Sequence, residues 1–110
     1  VLPTDTLGKT LIEISSKGLG VALVIDKLTL KGIFTDGDLR RALNKKTDVL
    51  EVPISQLMSK KAKTITNSSL ATDAIEMMQR NQIYSLVVTN KKGQPEGLIR
   101  MHDLVETGLV

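Results

Sequence analysis

The 110-residue chain contains no cysteine and no tryptophan, and only one tyrosine, one phenylalanine, one histidine and three prolines. Without cysteine, disulfides and thiolate metal sites are excluded, which agrees with a reducing cytoplasm. A lone His102 gives no histidine cluster for a metal and reads as a surface or rim residue. His102-Asp103 is a sequential pair with no nucleophile beside it, so a catalytic triad is not supported. Two aromatics, Phe34 and Tyr84, are too few for the stacking platforms of single-strand binding, and no nucleic-acid partner is expected. There is no long apolar run and no signal or transit peptide, so no membrane partner is expected either. The chain opens on Val1-Leu2-Pro3 without an initiator Met, as a piece cut from a longer protein does.

An apolar fraction of 41% beside 25% charged residues describes a globular chain, and the net charge is +3. That basic excess suits an anionic small ligand and equally suits solubility. Lys45-Lys46 and Lys60-Lys61 read as solvated surface.

The informative feature is a repeat. Gly32-Ile33-Phe34-Thr35-Asp36-Gly37-Asp38-Leu39-Arg40-Arg41 is echoed by Gly97-Leu98-Ile99-Arg100-Met101-His102-Asp103-Leu104, 65 positions later. Leu7, Ile12 and Glu13 align with Leu70, Ile75 and Glu76 at an offset of 63, and 22–26 align with 86–90 at 64. Repeats fix architecture before anything else does.

Each half reads as helix, strand, strand, helix. In the first, Thr4 or Asp5 caps a helix with Leu7, Leu11, Ile12 and Ile14 on one face, and Gly18 stops it. Val21 to Ile25 is a strand buried on both faces. Residues 27–29 turn the chain, 30–34 form a second strand, and a helix runs from 36 to 44 with Leu39, Ala42 and Leu43 inward. Residues 45–48 form a polar linker, and one helical turn over 54–58 leads into the second half. There Asn67 or Ser68 caps a helix through Leu70, Ala74, Ile75 and Met78, with Met77-Met78 as core. Strands over 84–89 and 96–99 flank a turn at 90–93, and a last helix spans 102–107. The boundaries are a first repeat over 1–47, a linker with a short helix over 48–61, and a second repeat over 62–110. Neither half can cover both faces of its sheet. The expected fold is α/β (α+β), with two small sheets and flanking helices in a pseudo-twofold arrangement with two clefts.

Thr35 and Asp38 sit where a strand ends and a helix begins, where unpaired backbone N–H groups attract an anion. The Thr35 hydroxyl suits a phosphate, Asp38 suits both hydroxyls of a ribose, and Gly37 leaves the approach open. Arg40 and Arg41 add positive charge if either turns back toward the cleft. Thr-x-x-Asp is also close to a capping box, in which the two residues satisfy each other. Local sequence leaves both readings open. In the second copy Arg100 replaces the Thr while Asp103 stays, so that cleft gains a cation that can meet an acidic group, or Arg100 is simply exposed at a strand end. Tyr84 enters a strand beside a predicted cleft and either stacks on a base or covers apolar surface. Gly18-Leu19-Gly20 is not a dinucleotide fingerprint, because Leu23 stands at the third glycine position and a strand follows. Asp36-Gly37-Asp38 is too short for a calcium loop.

The repeat, with Gly-apolar-apolar-Thr-x-x-Asp closing its first copy, resembles a cystathionine-beta-synthase (CBS) domain pair, or Bateman module. The resemblance covers the whole chain and implies a regulatory module that binds adenine or other nucleotides. It implies phosphate contact at Thr35, ribose contact at Asp38, and a base surrounded by Leu2-Pro3-Thr4 and Leu19-Gly20. The longer string 32–41, with Lys17-Gly18-Leu19-Gly20 and His102-Asp103-Leu104, resembles the C-terminal CBS pair of arabinose-5-phosphate isomerases. That family makes a precursor of Kdo, the acidic sugar of lipopolysaccharide, in a separate sugar-isomerase (SIS) domain. The likeness implies no isomerase activity here, no obligatory cofactor, and a ligand such as CMP-Kdo, or AMP or ATP. It further implies a homodimer of CBS pairs with the helices after Thr35 and Arg100 near the interface, a tetramer open to the parent protein. The competing reading is a structural oligomerisation module with empty clefts.

Overall fold

The computed structural model describes residues 1–18, 20–45, 48–106 and 108. It is a mixed α+β structure of four helices and two small sheets, and its contacts divide it into two compact units, Val1–Lys61 and Ala62–Val110.

In the first unit α1 spans Leu7–Lys17, and its cap is Thr6, whose hydroxyl accepts the Lys9 N–H at 3.2 Å. The expected caps act elsewhere: Asp5 accepts the Leu2 N–H, and Thr4 is exposed. Gly18 closes the helix in the left-handed region at φ +68°, as its lack of a Cβ allows. Leu7 and Thr10 are buried while Ile12 is 70% exposed, which corrects the predicted face. At 100° per residue Ile12 lies about 140° from Leu7, whereas residues 10, 11 and 14 lie within about 60°. The buried Thr10 hydroxyl donates to the Thr6 carbonyl at 2.9 Å.

Strands β1 (Ala22–Asp26) and β2 (Thr29–Phe34) form an antiparallel hairpin. Its two linking residues, Lys27 and Leu28, both have positive φ, which matches the right-handed strand twist. Ala22 and Val24 are buried and Leu23 and Ile25 only half-buried, so β1 is fully covered on one face rather than both. Helix α2 (Asp36–Leu43) buries Asp38 and Ala42, and Leu43, expected inward, is 59% exposed. It stands about 140° from Asp38, the same offset as Ile12 from Leu7. The segment after α2 carries short 3-10 turns at Val49–Glu51 and Ile54–Gln56, the second following Pro53. Val49 and Ile54 complete a core with Leu7, Ala22, Val24, Phe34 and Ala42. Beyond them Ser59 pairs with Ile33 through two backbone hydrogen bonds of 2.9 Å.

In the second unit a three-stranded sheet runs β3 (Thr64–Thr66), β4 (Ser85–Thr89), β5 (Pro95–Arg100), with β3 parallel and β5 antiparallel to β4. β3 is absent from the sequence expectation. Its first-unit counterpart is Val1, which bonds to Leu23 and Ile25 on either side of Val24. Helix α3 (Ala71–Asn81) starts after Leu70, whose N–H is accepted by Asp73 at 3.1 Å. Asn67 and Ser68 do not cap it. They belong to the preceding turn, where the Thr66 hydroxyl bonds to those of Ser68 and Ser69. The β4–β5 turn is closed by Asn90, whose side-chain oxygen accepts the Lys92 and Gln94 N–H groups. Ile65, Ala74, Met78 and Leu86 form the core, and α4 spans Met101–Glu106. Leu19 and Thr107, and part of the predicted 45–48 linker (Lys46 and Thr47), lie outside the described residues.

Candidate functional site

The end of β2 delivers Thr35 to the N-terminus of α2, and a capping box forms there. The Thr35 N–H and hydroxyl both donate to Asp38 Oδ2, at 2.9 and 3.1 Å, while the Asp38 N–H points at the Thr35 hydroxyl at 3.5 Å. Asp38 Oδ1 accepts the Ser59 hydroxyl at 2.6 Å and the Arg41 guanidinium. Asp38 is 3% exposed. Burial pushes its pKa up, but the hydrogen bonds from Ser59, Thr35 and Arg41 prevail and hold it below the ordinary carboxylate range. Of the two arginines, Arg41 turns back and Arg40 stays exposed. Gly37 is half-buried, and a Cβ there would stand 3.7 Å from the Thr35 hydroxyl.

Ser59 was not legible as part of this cluster. It comes from 21 residues downstream, and its approach depends on Gly32. A Cβ at Gly32 would lie 2.6 Å from the Ser59 carbonyl oxygen and 2.7 Å from Met58 Sδ. The one signal available was that glycine in a strand, which marks close approach of another segment. The echoing Gly97 meets nothing within 4 Å, so the two glycines of the repeat are not equivalent.

The second copy is built differently. Arg100 grips Asp103 with two parallel bonds, Nε to Oδ2 at 3.0 Å and Nη2 to Oδ1 at 2.8 Å. The fork geometry of guanidinium matches a carboxylate. Asp103 is held below its ordinary pKa by this bond, and Arg100 is raised by it. The acidic group that Arg100 meets is therefore its own neighbour one turn on. Tyr84 is 78% exposed just before β4 and lines an open depression of about 510 Å³ with Met78, Gln79, Gln82, Ile83 and Met101. Arg100 and Asp103 are not among its walls. Thr4 and Gly20 are exposed in the first unit, and His102 is exposed beside Glu106. No cluster of metal-ligating side chains occurs among the described residues.

A model of the CBS domain family matches residues 1–45 and 54–109. The chain belongs to the CBS-domain family. It is 43% identical over 111 residues to the arabinose 5-phosphate isomerase KdsD of Pseudomonas aeruginosa, covering 100% of this chain and 34% of that protein. It is 34% identical to KdsD of Escherichia coli K12, again over 34% of the relative. The CBS chain thus spans about a third of the curated relatives it matches. Among solved structures, it superimposes on a CBS-domain protein of Agrobacterium tumefaciens with TM-score 0.88 and 24% identity, over 98% of this chain and 86% of that one. A CBS-domain protein of Pyrobaculum aerophilum complexed with AMP gives TM-score 0.87 and 22% identity, over 99% and 88%. These likenesses show a CBS-pair fold. No helix among the described residues is long and apolar enough to cross a membrane.

Proposed function

We propose that this chain is the regulatory, nucleotide-binding CBS pair of an arabinose-5-phosphate isomerase in lipopolysaccharide synthesis, acting in the cytoplasm. The observation that carries the reading is the 43% identity to KdsD across 100% of the chain. The AMP-bound fold relative supports a nucleotide as the ligand class. In this reading Thr35 and the N-terminus of α2 receive phosphate, and Asp38 accepts the ribose hydroxyls. Thr4, Gly20 and Gly37 line the approach, while Tyr84, Arg100 and Asp103 belong to the second copy. CMP-Kdo fits as a feedback ligand, because it joins a phosphorylated ribose to an acidic sugar, and AMP and ATP are the alternatives. Catalysis belongs to a separate SIS domain, so a pure preparation of this chain does not interconvert arabinose 5-phosphate and ribulose 5-phosphate. The chain associates as a homodimer.

One observation favours a second reading. The capping box is complete, with Thr35 and Asp38 satisfying each other, as in a structural module with empty clefts. Calorimetric titration with AMP, ATP, CMP and CMP-Kdo separates the two. Under the nucleotide reading Asp38→Ala weakens the best ligand by about 1.5–3 kcal/mol, the range for hydrogen bonds to a charged group. Asp103→Ala weakens it less. Failure of all four compounds to bind the wild type leaves the structural module alone.

A further inference from the structure

A carboxylate offers about four lone-pair sites, and at Asp38 four donors fill them: the Thr35 N–H and hydroxyl on Oδ2, the Ser59 hydroxyl and Arg41 guanidinium on Oδ1. A ribose diol cannot join without displacing one of them. The Thr35 donors belong to the helix cap. Arg41 has a side chain 64% exposed and can swing into solvent. Ser59 is different. Its backbone is pinned to Ile33 by two hydrogen bonds and pressed over Gly32, so only its hydroxyl can turn, about one bond.

We propose that Ser59 gates Asp38: once Arg41 swings out, one ligand hydroxyl takes its place on Oδ1, and the second gains Oδ1 only when the Ser59 hydroxyl rotates away, so Ser59 sets affinity and the discrimination of ribose from deoxyribose. The inference rests on the nucleotide-binding reading above. Among the described residues the second repeat has no such device: Arg100 bonds Asp103, whose side chain is 48% exposed. A hydrogen bond to a charged group corresponds to about tenfold or more in an equilibrium constant, and that is the scale of the gate.

The test is calorimetric titration of wild type, Ser59→Ala and Ser59→Thr with AMP and with its 2′-deoxy analogue. Ser59→Ala is expected to bind AMP about tenfold tighter. The deoxy analogue gains less, so the ratio of the two affinities rises. Ser59→Thr, which keeps the hydroxyl, returns both values to wild type. If Ser59→Ala does not fold, Ser59→Cys replaces it, because a thiol is a weak donor of similar size. A merely structural Ser59 lowers thermal stability and leaves AMP affinity unchanged or weaker at a constant ratio, and that result overturns the gate. Binding by Ser59→Ala when wild-type binding is undetectable supports it. Absence of binding by both, to AMP and equally to ATP, CMP and CMP-Kdo, refutes the nucleotide reading itself, and the gate falls with it.

Discussion

Gly32 and Gly97 hold the same place in the two repeats, and alanine at each should have opposite consequences. Gly32 lies in β2 beneath the segment that returns after Ile54. A Cβ there would meet the Ser59 carbonyl oxygen at 2.6 Å, Met58 Sδ at 2.7 Å and Met58 Cγ at 3.0 Å. The methionine can move its flexible side chain. The carbonyl cannot, because the Ser59 backbone is bonded to Ile33 on both its N–H and its C=O. Gly32→Ala must lift that segment or bend β2, an overpacking cost of about 1–3 kcal/mol. At ~4–8 °C per kcal/mol for a domain of this size, the melting temperature falls by about 4–24 °C. Gly97→Ala meets nothing within 4 Å and its φ is not in the left-handed region. It loses no contact and restricts the unfolded chain, so it should be neutral or stabilise by up to ~1 kcal/mol. Scanning calorimetry on the three proteins reads the difference. A Gly32→Ala melting temperature within about 2 °C of wild type, or an equal fall for Gly97→Ala, would refute the close-approach reasoning, which expects ~4–24 °C.

Two further predictions concern charge and assembly. The folded pKa of Asp38 lies below its ordinary value of 3.8, so the unfolded state binds the proton more readily. Its contribution is fully present above that ordinary value and is lost as pH falls through the lower folded one. Asp38→Asn should therefore flatten the acid limb of stability in urea titrations below about pH 4, and an unchanged limb would contradict the assignment. Light scattering at high micromolar concentration should report a dimer. Leu43 on α2 and Val105 on α4 are 59% and 50% exposed, and Leu43→Asp with Val105→Asp should shift it to monomer; a wild-type monomer would sink the assembly.

Much of the fold was legible because glycine, turn and cap signals are local. Gly18 closes α1, and Asn90 with Gly93 closes the β4–β5 turn, as their backbone preferences dictate. Cap identity was not legible where candidates crowd together. Thr4-Asp5-Thr6 offers three capping residues in succession, and position alone does not choose among them; the pairing of Thr6 with Pro53 does, a long-range contact. At α3 the cluster 67–69 was a decoy, since Asp73 reaches back to the N–H of Leu70 and no side chain at the cap is needed. β3 has one apolar residue, Ile65, among threonines. Its strand character comes from parallel pairing to β4, which no local pattern encodes.

The site was legible in its local half and silent in its distant half. Thr35 and Asp38 lie three residues apart, so their mutual bonding follows from helix geometry. Ser59 enters only because β2 carries a glycine that lets a later segment press against it. That difference separates the two repeats more sharply than the exchange of Thr35 for Arg100. The first carboxylate is 3% exposed and held by neutral donors plus one exposed cation. The second is half-exposed and held through a fixed fork to Arg100. On the nucleotide reading, a diol that bonds Asp38 Oδ1 through both hydroxyls displaces the Arg41 guanidinium and the Ser59 hydroxyl, the latter an exchange of like for like. An anion approaching the second must compete with Asp103 for Arg100, an exchange of charge for charge that salt weakens. On that reading the same repeat unit carries two chemically distinct sites, a buried hydrogen-bond acceptor at Asp38 and a donor fork at Arg100, so a ligand suited to one is not thereby suited to the other.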